Sequence, residues 1–292
     1  MGALAAPILR RRLKLPAAAT MTAMAAGPPA LVVLAPRTRK RDAALYALAM
    51  WAFVMAHELP YDDPEALRRR LRIRYPITFD RAIGAGRLPS ARLQQALAGL
   101  GRRNLIDRFL SWVHWCWFFE PHAALVLILA RHPERFARSA RQMSAVFDLG
   151  CALYFAVPTA PPWWASEQAE TSPEEVRRIM VEVGGKSWGR AWPILYGTLG
   201  GNPWAAMPSL HFATSLMAAL LLGEAGTPEG ALGWSYAVAL GFALVYLGEH
   251  YVIDLLAGAA IVTAVRRGER LAEPLAEAVS RTLQRWERIA NS

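Results

Sequence analysis

Long apolar blocks alternate along this chain with short runs dominated by arginine. A helix needs roughly 17–25 mostly apolar residues to cross a bilayer, and several blocks approach that length. They cover residues 43–56, 105–130, 143–157, 208–222, 231–247 and 251–265. The pattern predicts an all-α polytopic membrane protein with about six transmembrane helices. Between the first two blocks, residues 61–103 are Arg-rich but carry Leu93, Leu97 and Leu100 at helical spacing. That spacing predicts amphipathic helices lying at the membrane interface. Residues 266–292 repeat the pattern with Leu271, Leu275, Val279, Leu283 and Trp286, which predicts an amphipathic tail. Residues 1–42 begin with Arg10, Arg11, Arg12 and Lys14, and Gly27-Pro28-Pro29 interrupts the Ala- and Met-rich run that follows. A poorly ordered cytoplasmic leader is expected there rather than a signal peptide.

Charge sets the expected orientation. The chain is 54% hydrophobic with a formal net charge of +10, and its positive residues flank apolar blocks. That distribution suits anionic lipid surfaces and topology signals better than nucleic acid. The basic runs at 37–41, 131–141 and 266–270 fall on one side of a six-span chain by parity, and short basic loops mark the cytoplasm. The basic segment 61–103 would then lie outside, which long segments tolerate. Both termini are expected in the cytoplasm, in the plasma (inner) membrane of a bacterium. The two cysteines, Cys116 and Cys151, sit inside apolar stretches and carry no disulfide or metal-site signal.

The same parity puts two polar clusters on the outer side. In the first, Asn202 to His211 (NPWAAMPSLH), Pro208 precedes the fourth apolar block. Free N–H groups and the helix dipole at such a start favour an anion. Ser209 can donate to it and His211 faces it from the first turn; an ordinary cap with an interfacial histidine is the plainer reading. In the second, Gly248 to Asp254 (GEHYVID), His250 and Asp254 stand four apart on one helix face. A carboxylate there holds one imidazole tautomer and frees the other ring nitrogen for attack or proton transfer. A structural His–Asp bond between helices is the alternative. Glu120 with His122 reads as a polar helix contact, the Trp112–Trp117 cluster as packing and aromatic belt, and Trp163 with Trp164 as lipid-contact or interfacial anchors. Glu249 can affect the charge of His250 or merely face water.

These two stretches resemble the second and third signature motifs of the type-2 phosphatidic acid phosphatase superfamily. The Pro208-Ser209-Leu210-His211 form is similar to its inositolphosphotransferase branch, which includes the fungal inositol phosphorylceramide synthases. Pro158 to Trp164 is similar to a Pro-rich segment of bacterial members. The resemblance implies that His250 is the nucleophile of a phosphohistidine intermediate, oriented by Asp254. It implies that His211 protonates the leaving oxygen, that Ser209 binds a phosphate oxygen, and that no metal or cofactor is needed. The first signature, a lysine with Arg-Pro seven residues on, is not matched: Lys186 and Arg190 lack that spacing, and Arg177 and Arg178 are rivals. Leu244 stands where the third motif often has arginine. Lys186, Arg190 and Arg178 are the candidate phosphate-binding cations.

The expected activity is therefore a membrane-embedded lipid phosphatase or phosphotransferase acting on a lipid phosphate or diphosphate at the outer face. Water or a hydroxyl of inositol, sugar or lipid would be the acceptor. A lipid transporter or flippase would use Asp254 and Glu120 along a path, but no internal repeat supports one. A metal-dependent hydrolase would ligate its metal through the histidines and Asp254, and a non-catalytic scaffold has no reason to keep all three.

Overall fold

Every one of the apolar blocks is helical, and prolines and caps set the helix ends. In a computed structural model, residues 2–98, 103–168, 170, 175–199 and 202–290 are described. They hold fifteen α-helices: α1 (Gly2–Leu13), α2 (Ala17–Leu34), α3 (Arg39–Glu58), α4 (Pro64–Arg69), α5 (Arg74–Ile83), α6 (Pro89–Ala98), α7 (Arg103–Cys116), α8 (Glu120–Arg131), α9 (Pro133–Ala156), α10 (Pro162–Glu167), α11 (Ile179–Trp188), α12 (Trp192–Leu199), α13 (Leu210–Ala225), α14 (Thr227–Tyr246) and α15 (Val252–Ala290). No strand forms among the described residues, so the fold is all-α. Leu100, expected on the apolar face of α6, lies outside them.

The core is built where α8, α9, α13 and α15 meet. Leu125, Ile128, Met143, Val146, Phe147, Ala213, Met217 and Ala218 are fully buried there. Small residues bring α13 and α14 into backbone contact, a Cβ on Gly233 falling 2.8 Å from the Ala219 Cα. Small residues at a crossing let two helix backbones approach this closely.

Among the described residues, α2 alone is by itself long and apolar enough to cross a membrane, with mean hydropathy 1.5 over its 18 residues. The pair α7 and α8 passes the same test jointly but is bent by 50° between Cys116 and Glu120. Three boundaries differ from the sequence reading. Residues expected as a poorly ordered leader form α1 and α2, and α2 packs on α3 and α15 despite Pro28 and Pro29 within it. Only Thr20 and Met24 of α2 are buried against those partners, and most of its apolar surface is left outside the core. The expected continuous block 105–130 is broken at residues 117–119, where Pro121 in the first turn of α8 cannot extend the preceding helix. The basic run 131–141 is mostly the first turns of α9, begun by Pro133, rather than a loop.

Those arginines make an ionic belt at one end of the bundle. Arg138 bonds Glu224 (2.7 Å) and Glu269 (2.6 Å), Arg266 bonds Glu224 (2.5 Å), and Arg131 bonds Glu229 (2.8 Å). The Arg138 guanidinium holds the Glu269 carboxyl below its usual range. From this belt α9 and α14 run toward the two polar clusters, while α13 and α15 run back from them. The fourteen to seventeen residues between belt and clusters span roughly 20–25 Å at 1.5 Å per residue.

Candidate active site

The polar clusters meet at the far end from the belt, on a platform supplied by the segment expected at the interface. Arg72 N–H donates to Pro158 O (2.8 Å), Ala160 N–H to Arg72 O (3.0 Å), and Thr159 N–H to Trp204 O (2.9 Å). The stretches 72, 158–160 and 204–206 thus lie side by side as a short ladder. Trp163 N–H donates to Gly248 O (3.1 Å), so the Pro-rich segment holds both clusters. The Gln94 amide of α6 bonds Tyr246 O (2.8 Å) and Arg177 O (3.0 Å), fixing the end of α14. Gly248 then turns the chain at φ +78°, and a Cβ there would lie 2.7 Å from Val176 Cγ1 and 3.1 Å from Arg177 O. Only glycine satisfies both the backbone angle and the space.

α15 starts immediately after this turn, and its first N–H groups need acceptors. Asp80, fully buried on α5, supplies them from 172 positions away: its carboxylate accepts from Val252 N–H (2.9 Å) and Ile253 N–H (3.1 Å). Burial nevertheless pushes the Asp80 carboxyl up to about 6. A carboxyl raised in the folded state binds protons there that the unfolded chain has lost, so stability falls as pH rises between the two values. Asp80→Ala is expected to lower the thermal midpoint by an amount corresponding to about 1 kcal/mol, the usual worth of such a cap. The difference from wild type should grow on acidification from about pH 7 to about pH 5. Thermal unfolding across that range checks both; a pH-independent difference would refute the buried-carboxylate account.

On the other side, Ser209 caps α13. Its hydroxyl accepts from Phe212 N–H (3.3 Å), its own N–H donates to Asp254 O (2.9 Å), and it is fully buried. The Tyr154 hydroxyl donates to Pro208 O (2.8 Å) and braces the same turn. His211, on the first turn, comes to His250: Nδ1 lies 3.1 Å from His250 Nε2. Asp254 Oδ2 lies 3.3 Å from His250 Nδ1 and accepts Tyr251 N–H at 2.9 Å. A carboxylate at Nδ1 makes that nitrogen the donor, so Nε2 carries the lone pair. The hydrogen between the rings then belongs to His211.

A cavity of ≈320 Å³ opens beside His211. Four of the chain's six histidines line it: His57, His114, His122 and His211. The rest of the wall is largely apolar and aromatic, and among the described residues no lysine or arginine lines it. The Arg178 guanidinium stands close by, stacked 3.3 Å over the Trp163 ring and bonded to the Tyr196 hydroxyl. Lys186 and Arg190 are exposed at the end of α11 and in the turn after it, away from the lining. Trp163 is buried beneath Arg178, and Trp164 packs edge-on against Trp204. Arg177 pairs with Asp107 and Glu182. Glu120 accepts from the Ser215 hydroxyl (3.1 Å), a contact between α8 and α13. No three His, Cys, Asp or Glu side chains are grouped as metal ligands among the described residues.

Three residues at this site fall outside the sequence motifs. His114 on α7 stacks against His211 with ring centroids 4.9 Å apart, and Trp117 does so at 4.1 Å. His114 comes from the last turn of α7 and Trp117 from the break that follows it. An ionisable residue inside an apolar run is a signal in its own right, and His114 carries it. Asp80 has no local signal, because its partners are long-range.

A model of the PAP2 superfamily matches residues 87–266, more than half of the chain. No curated protein and no solved structure matches. The match contains the Asn202–His211 stretch, the Gly248–Asp254 stretch and the platform helix that holds them. The chain belongs to the PAP2 superfamily, a group of phosphatases and phosphotransferases.

Proposed function

We propose that this protein is a membrane-embedded lipid phosphatase or phosphotransferase that works through a phosphohistidine on His250. The observation that carries the reading is the chain of contacts from Asp254 through His250 to His211. A phosphoryl group entering between the two rings replaces their hydrogen bond. His250 Nε2 then attacks phosphorus while the bond to the leaving oxygen breaks. His211, carrying a second proton, delivers it to that oxygen, and the alcohol or phosphate departs. In the second half, neutral His211 takes the proton of an incoming hydroxyl, whose oxygen attacks phosphorus as the P–N bond breaks. Asp254 balances the imidazolium charge of His250 throughout. The positive end of the α13 dipole offers an electrostatic partner of the kind phosphoryl transfer requires, and Arg178, beside the cavity wall at Tyr196, is the candidate cation.

Membrane insertion rests on two supports. The distance from the ionic belt to the dyad approaches the ≈30 Å hydrocarbon thickness of a bilayer, and the arginine-rich ends share one side as short cytoplasmic loops do. In this reading α2, α3, the α7–α8 pair, α9, α13, α14 and α15 are the spans, one more than the six expected because α2 runs alongside α3, and α4–α6 lie at the outer interface. The belt and the C-terminal tail are cytoplasmic and the His211–His250 dyad is extracytoplasmic; α1, expected in the cytoplasm, falls on the outer side instead, because Arg10 pairs with Glu58 and Asp62 at the outer end of α3. The Pro-Ser-Leu-His form favours the inositolphosphotransferase-like branch.

The test is phosphoenzyme trapping. Detergent-solubilised protein is mixed with radiolabelled lipid phosphates in the presence of a chelator and quenched in alkali, which preserves phosphohistidine. Label on a peptide containing His250 is expected. Turnover without any protein-bound label, or turnover abolished by the chelator, would refute the mechanism.

A further inference from the structure

Four buried polar atoms around the cavity have no hydrogen-bond partner among the described residues: His114 Nδ1, Trp115 Nε1, Asn202 Nδ2 and Glu249 Oε1. All four residues line the cavity that His211 lines. Asn202 and His114 are 5% and 4% exposed. Their orientation is determined by other contacts. Asn202 Oδ1 accepts Trp204 N–H (3.0 Å), which turns its amide nitrogen the other way. Glu249 is held on one side by Trp163 and faces Arg178. Burial pushes its carboxyl up, against the pull of Arg178 and His250. A buried donor or acceptor left unmade costs about 1–3 kcal/mol, so four around one largely apolar cavity are a constellation built for a ligand.

Resting on the phosphohistidine reading, we infer that Glu249 and Asn202 form a specificity subsite for the alcohol. It reads a second polar group on the alcohol whose oxygen His211 protonates, since all three residues line one cavity. Glu249 Oε1 accepts from a hydroxyl or amide N–H on that alcohol, and Asn202 Nδ2 donates to its oxygen. Beyond them the wall turns apolar at Phe53, Val54, Phe147 and Leu195, which suits a hydrocarbon chain. The alcohol is thus an amphiphile with neighbouring polar groups, and not a plain prenyl or fatty alcohol, nor a free sugar. Because the acceptor attacks from the side the leaving group vacates, the same subsite selects the acceptor in any transfer.

Two donors separate this from the alternatives: a 1-acylglycerol 3-phosphate, with a hydroxyl beside the leaving oxygen's carbon, and an alkyl phosphate of matched length without one. Phosphate release by the full-length protein is measured as the ratio of kcat/KM values, which cancels differences in folded fraction. Wild type should prefer the hydroxyl-bearing lipid by about ten-fold or more, the worth of a hydrogen bond to a charged group. Glu249→Ala and Asn202→Ala should bring the ratio toward one, and Glu249→Gln should retain part of it. A wild-type ratio near one, or one that these variants leave unchanged, would overturn the subsite while label on His250 from either lipid kept the phosphohistidine reading intact. Turnover of neither lipid, with no label on His250, would overturn both.

Discussion

Replacing His250 with alanine is expected to lower phosphate release by about 10⁴-fold or more, since removing a nucleophile leaves only binding and electrostatic stabilisation. His211→Ala should behave differently. A positioned acid contributes about 10²–10⁴-fold, and its worth depends on how much help the leaving oxygen needs. With an alkyl phosphate the loss should be close to the upper end. With a nitrophenyl ester, whose oxygen leaves without a proton, the first step should largely recover. Phosphoenzyme should then accumulate in His211→Ala, because dephosphorylation still needs His211 to take the proton of the incoming hydroxyl. The 3.1 Å contact between the rings, with His250 Nδ1 committed to Asp254, is the ground for this division of roles. Rapid-quench labelling of both variants with both substrates is the measurement. Equal losses for the two esters in His211→Ala would remove the acid from His211, and a labelled, active His250→Ala would place the nucleophile elsewhere.

The site is legible in the sequence to the extent that its parts are local. Pro208-Ser209-Leu210-His211 announces a capped helix start, and His250 with Asp254 announces one face by spacing alone. Three-dimensional neighbours leave no such trace. Asp80 reads as one more acid in an Arg-rich amphipathic segment, and its role appears only when α5 is seen against the first turn of α15. His114 sits in an aromatic run that reads as packing; its contact with His211 appears only when α7 is seen against the start of α13. Glu249 carries no preference from sequence, because its meaning depends on which atoms lack partners. The helices follow the same rule. Periodicity predicts the apolar blocks, but the ends of α8 and α9 are decided by Pro121 and Pro133. The amphipathic segment 61–103 is legible as helices, whereas its function as the platform of the site rests on Gln94, Arg72 and Asp80, whose bonds cross 80 to 170 positions.

Gly258→Leu should be the most damaging substitution that touches no reacting group. Gly258 lies one turn beyond Asp254 on the same face of α15, where that helix crosses the start of α13. A Cβ there would fall 2.8 Å from Ser209 O and 3.3 Å from Ala213 Cβ. The obstacle is largely backbone and cannot rotate away, so the two helices must separate. Overpacking of this kind costs about 1–3 kcal/mol. Activity should suffer more than stability, because the separation also stretches the 2.9 Å bond from Ser209 N–H to Asp254 O. That bond ties the helix bearing His211 to the helix bearing Asp254, and a displacement of about 1 Å at a reacting centre costs about 10²-fold. Gly258→Ala should show the same effects at smaller size. Thermal unfolding in detergent and kcat for a soluble phosphate ester measure the two consequences separately. A leucine variant that melts and turns over like wild type would mean that α13 and α15 have slack. The dyad would then be held by the His211–His250 contact and the platform bonds alone.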